Sequence, residues 1–360
     1  MSFSSVGWSS FGTERQYSTY RWMELSRSAD FLCRKVLEIK PGENVVIYAD
    51  TATDPRVVNA TAAAAYTIGA HPVVLWYETR GDIDLPPPKP VEAAVLAADV
   101  VIEYAVAYLV HSQMWAKARA AGVPILCLTG MNVDMMVRCL NPDNYEKIQE
   151  FGRAYSEALR RAKSGFKITS PAGTNLTMKV RPPMAPPGPG APTPGAGMPR
   201  RRGGMLVGQG MIPALRETIN GTIVFDGAIW PPSEIGAIKK PIELKVVDGV
   251  VKEFSGGFEA KLLKNWFAHF NDPRAYNVNH LSPGFNPGVK RISGDIVEDE
   301  RVFGCLEIGI GMTEVPCHTD GIILEPSIWV DDVLIEEEGI YIEPTLKKLA
   351  KELGMQLWVE

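Results

Sequence analysis

The stretch NVVIYADTATDPRVVNATAAAAYTIGAHPVVLWYE, residues 44–78, decides the fold of the chain. Its first seven residues, 44–50, are an almost continuous apolar run, which predicts a buried strand. Pro55 then opens an alanine-rich helical segment, and Gly69 is typical of a helix end. A second apolar run follows at 71–78. Strand, helix and strand at this spacing predict a right-handed βαβ unit with parallel strands.

The neighbouring segments extend the same pattern. Residues 21–40 carry apolar side chains at helical spacing, DVVIEYAV (99–106) predicts a third strand, SQMWAKARAAG (112–122) a helix and VPILCLTG (123–130) a fourth strand. We therefore expect residues 1–165 to form an α/β, Rossmann-like domain with a parallel sheet. This half has no glycine-rich phosphate-binding sequence, so nothing in it indicates a nucleotide ligand.

The second half of the chain is rich in strand-like segments and turns. GFKITSPAGTNLTMKV (165–180) predicts a hairpin. Three further segments are hairpin-like around Asp-Gly or Glu-Gly turns: NGTIVFDGAIW (220–230), PIELKVVDGVVKEFSG (241–256) and VLIEEEGIYI (333–342). A Pro/Gly-rich loop occupies residues 182–204. The pattern predicts that residues 166–360 form a β-rich α+β domain, which we expect to bind metal and carry the catalytic site.

Composition excludes several classes of protein. The chain has 360 residues with a formal net charge of -5, so no electrostatic argument favours nucleic acid as a partner. No signal peptide is visible at the start, and no apolar run is long enough to cross a membrane. The five cysteines are an odd number without a Cys-x-x-Cys pair, which argues against a disulfide framework. We expect a cytoplasmic protein.

The segment EVPCHTDGII, residues 314–323, carries the first candidate for a metal site. In a strand, His318 and Asp320 would lie on the same face, since side chains two positions apart share a face. The pair could bind a metal ion, or it could be an ordinary buried ion pair. His280, upstream in NVNHLSPGFNPGVKR (277–291), would complete a set of two histidines and one carboxylate. This donor set is the facial triad of non-haem iron(II) oxygenases.

Acidic residues near this candidate site leave alternatives open. Glu307 lies in the apolar run CLEIGIG (305–311), where a buried carboxylate needs a partner or a raised pKa. It could be a metal ligand, a general base or a paired structural acid. We expect Glu298–Glu300 to form a solvated charged turn. More carboxylates at the metal would favour a two-metal hydrolase, and a structural His318–Asp320 pair would favour a non-catalytic protein.

Several ordered segments resemble a known group of metalloproteins. They are SPAGTNLTMKV (170–180), NHLSPGFNPGVKR (279–291), DIVEDERVFGCLEIGIG (295–311) and CHTDGI (317–322). Their order is similar to that in the aminopeptidase T family and in its oxygenase relative, the 2,5-dihydroxypyridine 5,6-dioxygenase family. The peptidase pattern has a glutamate where this chain has His280 and a histidine where it has Glu307. The ligand pattern therefore resembles that of the dioxygenases more closely.

The dioxygenase resemblance implies a mononuclear non-haem Fe(II) enzyme that cleaves a hydroxylated aromatic or N-heteroaromatic ring. Carried over residue by residue, it implies that His280, His318 and Asp320 hold the iron. Glu307 is then expected to transfer a proton or support the site.

Arginine, amide and phenol side chains near this site are candidates for the substrate contacts. Arg291 is the second catalytic candidate, and Arg274, Tyr276 and Asn286 are expected to bind substrate. The partners implied are a small aromatic substrate and dioxygen, and the family implies a homodimer. The alternative is a metallo-aminopeptidase, or a ring or amide hydrolase, with one or two divalent metals.

Overall fold

A computed structural model of the chain describes residues 21–80, 86–107, 109–110, 112–182, 204–311 and 317–355. The chain divides into two compact units. The first consists of residues 1–145 and 200–206, and the second of residues 146–199 and 207–360. The helix Tyr145–Arg160 falls almost entirely in the second unit. The sequence predicts a domain boundary at residue 165 and a catalytic, metal-binding second domain. Both stay predictions.

The first unit is built on a five-stranded parallel sheet, which confirms the predicted α/β half. Its strands are β1 (Asn44–Asp50), β2 (His71–Tyr77), β3 (Val100–Glu103), β4 (Ile125–Cys127) and β7 (Gly204–Met205). They follow the order β2-β1-β3-β4-β7, and every neighbouring pair is parallel. The strands β1, β3 and β4 are buried throughout apart from Asn44, as expected for a parallel sheet with covered faces.

Helices connect these strands where the sequence has its start and stop signals. The helices of the first unit are α1 (Trp22–Phe31), continued by a π-helical turn (Leu32–Val36), α2 (Pro55–Ile68), α3 (Lys89–Leu96), α4 (Gln113–Ala120) and α5 (Val133–Cys139). The Asp54 carboxylate caps α2 by accepting a hydrogen bond from the backbone N–H of Arg56. Gly69 ends α2 in the left-handed conformation, with φ of 93°.

The second unit contains a large antiparallel sheet of eight strands. They are β5 (Gly165–Thr169), β6 (Asn175–Lys179), β8 (Asn220–Phe225), β11 (Ile242–Val247), β12 (Val250–Gly256), β16 (Ser327–Val330), β17 (Val333–Glu337) and β18 (Ile340–Tyr341). Their order is β12-β11-β8-β6-β5-β16-β17-β18. The hairpins predicted at 165–180, 241–256 and 333–342 are all present. The predicted loop at 182–204 lies almost entirely outside the described residues.

A smaller antiparallel sheet in the same unit carries the candidate site. Its strands are β9 (Ala228–Trp230), β10 (Gly236–Ala237), β13 (Val278–Gly284), β14 (Cys305–Ile310) and β15 (Thr319–Ile323), in the order β10-β9-β15-β14-β13. The helices of the second unit are α6 (Tyr145–Arg160), α7 (Phe258–His269), α8 (Ile296–Asp299) and α9 (Pro344–Glu352), with two 3-10 turns, Arg216–Thr218 and Pro273–Tyr276. A continuous apolar core draws side chains from both sheets of this unit.

The hairpin predicted for NGTIVFDGAIW is wrong. Strand β8 pairs with β6 and β11 in the large sheet, whereas β9 pairs with β10 and β15 in the small one. The Asp-Gly pair at 226–227 joins the two sheets instead of closing a hairpin. The N–H groups of Asp226 and Gly227 both donate to the carbonyl of Ile322, and the Asp226 carboxylate accepts from the N–H of Leu324. These bonds to β15 replace the cross-strand bonds of a hairpin.

Candidate metal centre

Three neighbouring strands bring the candidate residues to one place. In the register of β13, β14 and β15, His280 and Asp320 both lie opposite Gly309. Because Gly309 has no side chain, the two flanking side chains can approach each other across β14. A Cβ atom at Gly309 would lie 2.2 Å from Cε1 of His280. The small residue in the middle strand is therefore a condition for the site.

The polar atoms of the cluster are close together. Oδ1 of Asp320 lies 2.9 Å from Nε2 of His318 and 3.5 Å from Nε2 of His280. The two imidazole rings stack with centroids 5.2 Å apart. His318 and Asp320 are buried, whereas the side chain of His280 is 22% exposed. Solvent therefore reaches the cluster on the side of His280.

Backbone groups orient the histidine from EVPCHTDGII. Nδ1 of His318 lies 3.3 Å from the carbonyl oxygen of Gly311. With the Nδ1 proton donated to this carbonyl, Nε2 faces Asp320, as a hydrogen-bond donor without a metal and as a potential ligand once its proton is lost. The hydroxyl of Thr319 donates to the carbonyl of Pro231 and so holds the strand between the two candidate ligands. The i, i+2 spacing thus produces the shared face expected from the sequence.

The charges in the cluster shift the pKa values of His318 and Asp320 in opposite directions. Burial lowers the pKa of His318, but the Asp320 carboxylate more than compensates, so the net pKa is raised. Burial raises the pKa of Asp320, and the two histidines outweigh it, so the net pKa is lowered. Without a metal, each of these two side chains thus favours the charged form of the other.

Glu307 joins the same cluster. It is fully buried, and its Oε1 lies 2.8 Å from Nε2 of His280 but has no hydrogen bond of ordinary geometry. Its Oε2 accepts a hydrogen bond from Nε2 of Gln209 at 3.2 Å. Burial, together with the negative charges of Asp320 and Glu300, raises the pKa of Glu307. A buried carboxyl of this kind is typical of functional sites.

The prediction of a solvated turn at Glu298–Glu300 is wrong. All three acidic side chains are buried, and their neighbour Arg301 is fully buried as well. Nη1 of Arg301 lies 2.7 Å from Oε2 of Glu300, so the two charges are paired. Asp299 accepts hydrogen bonds from the N–H groups of Ser293 and Gly294. The buried charges of Asp299 and Glu300 are tolerated because both carboxylates have partners.

Gln209 and Arg301, which lie beside this cluster, were not predicted from the sequence. Gln209 follows the Pro/Gly-rich loop and lies in no recognisable motif, so its side chain gave no signal. Arg301 directly follows an acidic run, and the only hint was its adjacency to Glu300. A pair of opposite charges next to each other in sequence is ordinarily a feature of a surface.

The predicted substrate residues lie in several environments. Asn286 is fully buried, and its amide donates to the carbonyl of Val207 and accepts from the N–H of Gly288. Arg274 lies on an exposed turn, where it is paired with Asp272. The ring of Tyr276 stacks on Phe267, at 5.4 Å between centroids. Arg291 is exposed between β13 and α8. The substrate roles of these residues stay predictions.

The donor set fits a divalent metal. One ligand atom from each of His280, His318 and Asp320 lies within 4.8 Å of the others, and this is a group of potential metal ligands among the described residues. Ligand atoms about 2.1 Å from one ion stand roughly 3 Å apart, close to the separations measured here. The buried Oε1 of Glu307, without a hydrogen bond, is the kind of atom that an ion or a substrate proton would satisfy.

No helix of the described chain is long and apolar enough to span a membrane.

Solved structures place this fold in a known class. The structure of 2,5-dihydroxypyridine dioxygenase from Pseudomonas putida KT2440 matches with a TM-score of 0.70 at 19% identity, over 90% of this chain and 98% of that chain. Wild-type AmpT from Thermus thermophilus matches with a TM-score of 0.62 at 14% identity, over 89% of this chain and 100% of that chain. The chain therefore has the two-unit fold shared by aminopeptidase T-like proteins.

Sequence comparison narrows this class to a family. The sequence model of the 2,5-dihydroxypyridine 5,6-dioxygenase (NicX) family matches residues 31–343. The 2,5-dihydroxypyridine 5,6-dioxygenase of Pseudomonas putida is 25% identical over 344 residues, which cover 86% of this chain and 94% of that protein. The chain belongs to the 2,5-dihydroxypyridine 5,6-dioxygenase family and is a ring-cleaving dioxygenase. This confirms the resemblance found in the sequence, and the aminopeptidase alternative is the weaker one.

Proposed function

We propose that the chain is an iron(II) enzyme that opens the ring of 2,5-dihydroxypyridine or of a closely related hydroxylated N-heteroaromatic compound. The observation that carries the proposal is the clustering of His280, His318 and Asp320 in a member of this dioxygenase family. Two imidazoles and one carboxylate are the ligands that suit iron(II) and leave positions open for other ligands.

The three ligands would hold the metal through Nε2 of each histidine and the carboxylate of Asp320. When bound, iron(II) would supply electrons to dioxygen and bring it next to the electron-rich ring. The carbonyl of Gly311 fixes the orientation of His318, and the absence of a side chain at Gly309 leaves room for the ring of His280. The 22% exposure of His280 indicates the side from which substrate enters.

Glu307 is the group that we assign to proton transfer. A hydroxylated ring must lose a hydroxyl proton as it becomes more electron-rich, and the acceptor has to lie within hydrogen-bond reach. Oε1 of Glu307 points at Nε2 of His280 and is not engaged by another donor in ordinary geometry. We further assign Arg291, which is exposed on the segment after β13, to an anionic group of the substrate. Arg274, Asn286 and Tyr276 remain the proposed substrate-binding residues.

The proposal also includes a homodimer in the cytoplasm. Strand β2 forms an edge of the parallel sheet, and its Val73 and Trp76 are each 45% exposed. Exposed apolar side chains on a sheet edge favour burial against a second copy. The five cysteines are free and buried, which fits a reducing compartment.

Metal loading and turnover test this proposal together. The protein is freed of metal, loaded with iron(II) without oxygen, and its metal content is measured beside that of His318→Ala. We expect one iron per wild-type chain, little in the variant, and oxygen uptake in a screen of hydroxypyridines, catechols, aminophenols and hydroxylated aromatic acids. Two bound metals with oxygen-independent hydrolysis would favour the hydrolase alternative, and full iron retention by His318→Ala would contradict the ligand assignment.

A further inference from the structure

The segment that carries Gln209 lies against the end of β13. The N–H of Gly210 donates to the carbonyl of Pro283, and the carbonyl of Gly208 accepts from the N–H of Phe285. A Cβ atom at Gly208 would lie 2.5 Å from the Cβ atom of Asn286, so only glycine permits this close approach. The backbone around Gln209 is therefore held in place from both sides.

The neighbours of Gln209 fix which way its amide points. Nη2 of Arg301 lies 3.3 Å from Oε1 of Gln209, and a guanidinium only donates hydrogen bonds. The amide oxygen therefore faces Arg301. The amide nitrogen, which only donates, then faces Oε2 of Glu307 at 3.2 Å. The orientation of the amide follows from the donor character of Arg301 alone.

The orientation of the Gln209 amide determines which oxygen of Glu307 faces His280. Since the Gln209 amide donates to Oε2, that oxygen has to accept, and the other oxygen is left to face His280 at 2.8 Å. Arg301 is itself anchored, because its Nη1 donates to Glu300 and to the carbonyl of Val297. The hydrogen bonds thus run in one direction from Arg301 through Gln209 to Glu307.

We propose that Gln209 is a positioning residue that fixes the Glu307 carboxyl at the metal cluster, with Oε2 accepting from the amide and Oε1 directed at His280. This inference rests on the proposed function, because the metal cluster is the target that Glu307 faces. Gln209 itself touches neither the candidate ligands nor the reacting atoms in the contacts described. Its effect on the site passes through Glu307.

Cobalt(II) is a suitable probe because its visible spectrum reports the surroundings of the bound ion. We expect Gln209→Met to shift the cobalt bands and to weaken cobalt binding by about 10-fold, the usual size for a residue that orients a ligand environment. Glu307→Gln should give a similar change, and adding Gln209→Met to it should have no further effect. In the iron-loaded enzyme, Gln209→Met should lower kcat and leave KM within about twofold.

Two further variants separate positioning from general damage. Gln209→Glu keeps an acceptor for Arg301 but loses the donor to Glu307, so it should behave like Gln209→Met. Gln113→Met, at the exposed start of α4, is the matched control and should leave spectrum and affinity unchanged. A wild-type spectrum and affinity in Gln209→Met or Gln209→Glu would overturn the inference, as would additive effects of Gln209→Met and Glu307→Gln.

The same titration distinguishes this inference from the proposed function. If wild-type protein binds one cobalt ion and His318→Ala does not, the metal site stands, and the Gln209 variants decide the role of that residue alone. If wild-type protein binds no cobalt, both the metal site and the role of Gln209 are overturned.

Discussion

His280 and Asp320 lie on strands that are not neighbours, yet Nε2 of the one is 3.5 Å from Oδ1 of the other. The strand between them, β14, offers only Gly309 at this level of the sheet. The approach of two candidate ligands therefore depends on a residue that contributes no chemistry of its own.

Gly309→Ala should disrupt the site. The added Cβ would lie 2.2 Å from Cε1 of His280, so the imidazole has to move away from Asp320. We expect iron(II) affinity to fall by about 10-fold or more, measured by anaerobic metal titration. Gly257→Ala is the control, since its Cβ would meet only the flexible Lys240 side chain, at 3.3 Å, and the Glu259 carboxylate. Unchanged metal affinity in Gly309→Ala would show that His280 is not a ligand.

Glu307→Gln should lower kcat even when the metal site is saturated. The substitution preserves the shape of the side chain but removes its capacity to accept a proton. With the site saturated by iron, we expect kcat to fall by about 10²–10⁴-fold, the usual contribution of a general acid or base. Steady-state oxygen uptake checks this. A variant with wild-type kcat would exclude Glu307 from proton transfer.

Arg301→Met should lower the free energy of unfolding by about 3–5 kcal/mol, because Glu300 would remain buried without its cationic partner. Urea denaturation of the metal-free protein measures this. Arg34→Met provides the comparison, since Arg34 pairs with Asp30 on the surface and such pairs contribute at most about 1 kcal/mol. An equal effect of both substitutions would contradict the assigned role of the buried pair.

Glu336 should make the stability of the fold decline as the pH rises toward 8. Its carboxyl is fully buried with Tyr155 as a hydrogen-bond partner, and burial raises its pKa to about 8. The unfolded chain loses this proton at lower pH than the folded chain, so the unfolding free energy falls as pH rises toward 8 and levels off above it. Between pH 5 and pH 8 the contribution is roughly 3 kcal/mol.

Urea denaturation at the two pH values checks this prediction. Glu336→Gln removes the titrating group and should flatten the decline by that amount, whereas Glu337→Gln, at the exposed neighbouring position, should keep the wild-type decline. If Glu336→Gln loses stability with pH as steeply as wild type, the folded protein does not hold this proton.

The sequence predicted those features that depend on local pattern. Apolar runs, Pro55 and Gly69 were enough for the parallel sheet, because each signal acts within a few residues. The shared face of His318 and Asp320 followed from strand periodicity. His280 was a candidate from its sequence surroundings, and the family resemblance was needed to assign it as a ligand, since strand pairing brings it to the cluster over about 40 residues of chain, a distance that periodicity does not reach.

Features that depend on tertiary partners were not predictable. The acidic run at Glu298–Glu300 has the sequence pattern of a surface turn. It is buried because Arg301 and backbone N–H groups near Asp299 provide partners that only the folded structure reveals. The Asp-Gly pair at 226–227 has the sequence pattern of a hairpin turn. In the fold, its N–H groups instead donate to the carbonyl of Ile322, which is distant in sequence. Gln209 gains its significance only between Arg301 and Glu307.

Oxygen uptake during substrate consumption tests the central claim most directly. Protein loaded anaerobically with iron(II) is mixed with 2,5-dihydroxypyridine in air-saturated buffer, and dissolved oxygen and ring absorbance are followed together. We predict that one dioxygen disappears for each ring opened and that His318→Ala shows neither change. Substrate loss without oxygen uptake, or no reaction of the loaded wild-type protein with any hydroxypyridine, would contradict the account.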